Sequence, residues 1–344
     1  MESGARLRRW SNLASTRRDV SSFVRGLTFE HCTPARRQNW ASSWVRTGDD
    51  YQRKSHLDIE VQAFDEATEA LLCALTAFEV ARRLLEDDRD RLDVEGKVEA
   101  AIQRFGVSLG GAAENLEVGF DHTILSALYL PGGAPKSCCP AVICLSSDED
   151  KRTMLLGRLL PLAIKHGMSV LIVAREELVK YSPGESKILL SLCLDHLSSR
   201  TEVDRRRIGV YGDGLSAEIA TNFAAFDKRV AAAVCDGGLW SSARTLASIG
   251  WITGAACEET EEEVSPRRSR VARRLDCPAL VVAGGRGLVS VSEAIKLHAD
   301  CTAEGIPLDL MLPEIVSAEH GEYFENFVMS DDCIFDWLDR KLKR

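Results

Sequence analysis

The stretch RIGVYGDGLSAEIA, residues 207–220, decides how the chain is read. Its first five residues suit a short buried strand, the glycines at 212 and 214 give a tight turn, and a helix follows. The same grammar extends in both directions. Ala141–Leu145, Ser169–Ala174, Val230–Cys235 and Ala279–Ala283 are short apolar runs of buried-strand type, and Leu308–Leu312 is a weaker one. Helical patterns lie between them at 152–166, 185–198, 216–226 and 291–303. Such alternation predicts a doubly wound, mostly parallel sheet. Glu117–Leu130 alternates like a hairpin, with Pro131-Gly132-Gly133 expected to close it.

The first 115 residues read differently. They are helical, with no convincing strand. From Ser55 to Glu86, Leu57, Val61, Phe64, Leu71, Leu75 and Phe78 recur at steps of three, four and seven, the apolar face of one long amphipathic helix. A second helix is expected over Val94–Phe105, ending before Gly106, and Gly110-Gly111 breaks the pattern. The expected organisation is therefore a helical lid over 1–115 and an α/β core over 116–344.

Composition narrows the function classes. Of 344 residues, 45% are hydrophobic and 28% charged, enough apolar material for a core, so disorder is excluded as the dominant state. The net charge of −9 argues against nucleic acid, which needs a basic surface. No apolar run approaches the roughly 18 residues of a membrane span, and the N-terminal segment lacks the apolar stretch of a secretory signal. A soluble, cytoplasmic protein is expected. Arginine far exceeds lysine, as in high-GC bacteria. The eleven cysteines include no C-x-x-C pair, so zinc ribbons and thioredoxin-type sites are disfavoured and buried reduced thiols are expected. EETEEEV (258–264) followed by RRSRVARR (267–274) reads as a solvated helix or lid loop.

The 207–220 stretch resembles the nucleophile elbow of α/β-hydrolases, G-x-S-x-G, in which the serine sits on a strained turn above the sheet. KRVAAAVCDGG (228–238) follows as the next strand, CPALVVAGGRGLVS (277–290) lies where that fold carries its catalytic acid, and His320 lies where it carries its histidine. The chain is most similar to the branch of pseudooxynicotine hydrolases and fermentation-respiration-switch esterases, whose members also carry a helical region ahead of the core. The resemblance implies an α/β-hydrolase fold over nearly the whole chain. Relatives with such helical regions often pair, so a homodimer is allowed.

The family's catalytic residues do not carry over intact. With Gly212 on the first motif glycine, Gly214 occupies the nucleophile position and Ser216 that of the last glycine. Glycine has no oxygen with which to form an acyl-enzyme. The acid position becomes a glycine within Gly284-Gly285-Arg286-Gly287, and the oxyanion loop becomes Leu145-Ser146-Ser147. Only His320 survives. A histidine without its serine can still act as a general base. The expected function is thus a non-hydrolytic enzyme, a carbon–oxygen lyase that eliminates a carboxylate such as acetate from a small acylated precursor. Acetate-eliminating enzymes of tetronate polyketide pathways look like such repurposed hydrolases, which suggests antibiotic biosynthesis.

Asp213 and Asp236, at strand ends, are candidate partners of His320; as alternatives each can be a turn-capping carboxylate. Gly212, Gly214, Leu215, Ser216, Ser146 and Ser147 would line the elbow. Two further readings stay open: an inactive hydrolase fold that binds a ligand or protein, and an ester hydrolase with Ser216 or Cys235 as an atypical nucleophile. The remaining histidines, among them His122, His166 and His196, lack metal-ligand spacing, and the glycines do not form a dinucleotide fingerprint. No metal or cofactor is expected.

Overall fold

A computed structural model describes residues 10–27, 33–85, 87–108, 114–120, 122–132, 138–147, 151–238, 272–283, 290–317 and 323–343. The chain divides into two compact units. One comprises Met1–Glu114, Asp150–Gly167 and Glu314–Cys333; the other comprises Asn115–Glu149, Met168–Pro313 and Ile334–Arg344. The helical unit is therefore assembled from three stretches of sequence, two of them far beyond residue 115.

That unit contains α1 (Ser11–Arg25), α2 (Pro34–Glu60), α3 (Phe64–Leu84) and α4 (Asp88–Ser108). Helix α2 starts on a Thr33 cap, whose side chain accepts from the Arg36 amide, with proline in the first turn. The single long helix expected over Ser55–Glu86 is in fact two. The chain turns at Val61–Ala63, with Gln62 at φ +60°. Apolar spacing runs on through this corner, but Leu57, Val61 and Phe64 are 61%, 73% and 47% exposed, whereas Leu71, Leu75 and Phe78 are buried. Helix α3 is buried almost throughout and is packed by α1, α2 and α4. A Cβ on Gly48 of α2 would lie 2.3 Å from the ring of Phe78, which is fully buried. Gly48→Ala is expected to destabilise the protein by about 1–3 kcal/mol through overpacking. A denaturant midpoint equal to that of the wild type would contradict this packing.

Two charge clusters are buried in the helical unit. Glu79 accepts from Arg82 Nε at 2.9 Å and from Arg83 Nε at 2.6 Å. Burial pushes its carboxyl upward, but the two guanidinium groups outweigh that and hold it well below the usual carboxylate range. Arg158 of α5 (Arg152–His166) makes a bidentate pair with Asp331, on α10 (Phe327–Leu342). These two side chains are 1% and 0% exposed.

The second unit is built on a sheet of eight strands: β1 (Glu114–Phe120), β2 (Thr123–Leu130), β3 (Cys139–Leu145), β4 (Ser169–Val173), β5 (Val203–Asp213), β6 (Ala232–Asp236), β7 (Ala279–Val282) and β8 (Leu308–Met311). Their order is β1-β2-β4-β3-β5-β6-β7-β8. Strand β2 runs antiparallel to β4, and every pair from β4 through β8 is parallel. Strands β3, β4, β6 and β7 are buried along their whole length, as their continuous apolar runs predict. Helix α6 (Arg175–Val179) follows β4, and α7 (Pro183–Ser199), α8 (Ser216–Phe226) and α9 (Val291–Ala303) lie in crossover connections, packing on β5, on β5 with β6, and on β8 respectively. The hairpin turn falls between Phe120 and Thr123, so Pro131-Gly132 leads out of β2 instead of closing the hairpin.

The short pair β9 (Ile315–Ser317) and β10 (Tyr323–Glu325) is antiparallel and carries no sequence pattern that announced it. Among the described residues, no helix is long and apolar enough to cross a membrane.

Candidate active site

In an open parallel sheet, chemistry gathers at the carboxyl ends of the central strands. Strand β5 ends at Asp213, paired in register with Asp236 at the end of β6. The chain then turns through Gly214 and Leu215 into α8. Gly214 has φ +54°, a left-handed conformation that side chains rarely adopt. Its amide donates to the Asp236 carbonyl at 2.6 Å, clamping the turn to the neighbouring strand. A Cβ on Gly212 would lie 2.4 Å from the Ser216 carbonyl oxygen, so glycine alone fits where the strand passes under the first turn of α8. Strand β5, a left-handed turn with Gly214 at its apex and helix α8 thus follow one another directly.

The flanking side chains have distinct tasks. Ser216 is fully buried, and its hydroxyl donates to the Ser146 carbonyl at 2.5 Å. It lies inside the first turn of α8, within packed structure. Ser146 is also buried, its Oγ accepting from the Arg175 amide at 3.3 Å. Arg175 Nη1 donates to the carbonyl of Leu215 at 3.3 Å, joining the start of α6 to the elbow. Cys235 lies one residue before the end of β6. It is buried against Thr221 Oγ1 at 2.9 Å, and burial pushes its thiol up to about 12.

Asp213 and Asp236 are 2% and 7% exposed and converge on one group. The Tyr211 hydroxyl donates to Asp236 Oδ2 at 2.5 Å and lies 3.4 Å from Asp213 Oδ1. The N-cap position of α8 is Leu215, which makes no side-chain cap hydrogen bond. The sequence reading missed Tyr211, which it took as one more strand residue, and Arg175, which has no local signature. The structure thus brings Asp213, Asp236, Gly212, Gly214, Leu215, Ser216, Ser146 and Ser147 to the ends of β3, β5 and β6. His320 and the Gly284–Gly287 segment lie outside the described residues. Among the described residues, no His, Cys, Asp and Glu side chains cluster as metal ligands.

Sheet order, the antiparallel second strand and the elbow between β5 and α8 define the α/β-hydrolase fold. No protein-family model and no curated protein sequence matches the chain. Solved structures do. The 2,6-dihydroxy-pseudo-oxynicotine hydrolase superposes over 94% of this chain and 95% of its own, with TM-score 0.59 and 18% identity. The protein AbyA5 covers 88% of each chain at TM-score 0.50 and 16% identity. A puromycin-hydrolyzing peptidase of Mycobacterium tuberculosis matches 67% of this chain and 39% of its own, with TM-score 0.53 and 14% identity.

Proposed function

We propose that this chain is a non-hydrolytic enzyme of α/β-hydrolase fold, a carbon–oxygen lyase that eliminates a carboxylate such as acetate from a small acylated precursor in natural-product biosynthesis. One observation carries the reading. The elbow keeps its left-handed backbone at Gly214 but presents no oxygen there. An acyl group bound at such an apex meets no nucleophile, while a general base can still remove a proton. In this reaction His320 takes the proton from the carbon next to a carbonyl. The electron pair forms the new carbon–carbon double bond, the carbon–oxygen bond breaks, and acetate departs with its electrons.

The nearest competing reading, ester hydrolysis through Ser216, is weakened by the burial of that hydroxyl and its bond to the Ser146 carbonyl. Incubation with a fluorophosphonate probe followed by intact-mass measurement is expected to show no adduct. Incubation with O-acetylated polyketide-like substrates is expected to release acetate together with an alkene product. An adduct mapping to Ser216 would return hydrolysis to the front. Absence of both adduct and acetate would favour a binding protein on a hydrolase scaffold.

A further inference from the structure

The corner between α2 and α3 leaves three large apolar side chains in water: Leu57, Val61 and Phe64 are 61%, 73% and 47% exposed. Main-chain bonds hold this corner. The Gln62 amide donates to the Ile59 carbonyl at 3.0 Å and the Ala63 amide to that of Asp58 at 2.8 Å, the pairing of a helix that ends on a left-handed residue. The apolar side chains therefore stand on ordered backbone. Leu57 and Val61, one turn apart, share a side of α2. It is the side opposite the packed one, because Gly48, seated against Phe78, lies about two and a half turns before Leu57. Charges flank the apolar pair. Arg53 and Glu60 are both exposed, and their separation of about two turns puts them on the same side of Leu57. Each meets an exposed neighbour on its own helix, Arg53 with Asp50 at 2.7 Å and Glu60 with His56 at 3.5 Å. Exposed pairs of this kind are worth little, so both charges can exchange partners at small cost.

We propose that this corner docks a second copy of the chain, two α2 helices crossing antiparallel at Leu57 about a two-fold axis. Such an axis brings one patch against itself, so the patch has to complement itself. Here it does. With Leu57 at the crossing, a residue one turn before it in one copy comes level with a residue one turn after it in the other. Arg53 of each copy then faces Glu60 of the other, and the pairing is made twice. Between the two ion pairs, Leu57 and Val61 of both copies leave water. A cation and an anion set at matching distances on either side of an apolar centre suit an identical partner, which is why the occupant is this chain rather than another protein. Two helix ends offer a modest area, so the dimer belongs to the weak, concentration-dependent class. The proposal is independent of the lyase reading.

Sedimentation equilibrium over a concentration series provides the test. The wild type should pass from monomer to dimer as concentration rises. Leu57→Lys should raise the dissociation constant about tenfold or more by placing two ammonium groups at the crossing. Because Leu57 is exposed, thermal unfolding of the dilute protein should be unaltered. Charge reversal supplies the decisive arm. Arg53→Glu sets like charges against each other at both ion pairs, and so does Glu60→Arg, so each variant alone should dimerise about tenfold more weakly. In an equal mixture of the two, the introduced glutamate meets the introduced arginine, and the native Arg53 meets the native Glu60. Association of the mixture should return to near the wild-type level. An effect confined within one copy could not be repaired by mixing. A wild type that stays monomeric throughout the series overturns the proposal. A dimer indifferent to Leu57→Lys or to either charge reversal does so too, since the interface would then lie elsewhere. A mixture that associates no better than its components also overturns it.

Discussion

Replacing Arg158 by leucine is expected to destabilise the protein by about 3–5 kcal/mol. The side chains of Arg158 and Asp331 are 1% and 0% exposed, and the guanidinium holds the carboxylate through Nε and Nη2 together. Removing the cation alone leaves a carboxylate in packed surroundings with neither water nor its partner. The cost is therefore that of an uncompensated buried charge, larger than the worth of the pair itself. The same reasoning predicts a reversal. An Arg158→Leu, Asp331→Leu double variant replaces both charges by apolar groups and should recover most of the loss. Equilibrium urea unfolding of the four proteins in this cycle measures both effects. A double variant as unstable as the single one would show that the pair's geometry, rather than its charge balance, is what the fold requires.

The second large effect concerns His320. In the proposed elimination it is the group that receives the proton, and loss of a positioned general base costs about 10²–10⁴-fold in rate. His320→Ala should therefore reduce acetate release by that factor while leaving unfolding unchanged. A variant with undiminished acetate release would remove His320 from the mechanism.

The sheet was legible because each buried strand is a compact apolar run between helical patterns. The boundaries of α8 and α9 follow from the sequence for the same reason. The α2–α3 corner was not, since Leu57, Val61 and Phe64 continue an apolar spacing through a turn where those side chains meet water. Periodicity reports which residues are apolar, and the backbone at Gln62 decides where the helix stops. At the site, the glycine turn between β5 and α8 could be read directly from the sequence. The convergence of Tyr211, Asp213 and Asp236 could not, because strand alternation treats a tyrosine as one more core ring and says nothing of its hydroxyl. Ser147 meets the elbow across 67 positions of sequence, a neighbourhood that no local pattern encodes.

The Arg158–Asp331 pair joins residues 173 apart, and Arg17 reaches Asp332 across 315. During synthesis at about 5–20 residues per second, Arg158 waits on the order of ten seconds or more for its counter-charge to be translated. Helices α1 to α4 leave the ribosome first, yet the unit that contains them is completed almost last. The nascent chain must therefore keep a buried-type arginine solvated while the sheet strands are still being made. Chaperone demand should peak in that interval, before residue 331 emerges.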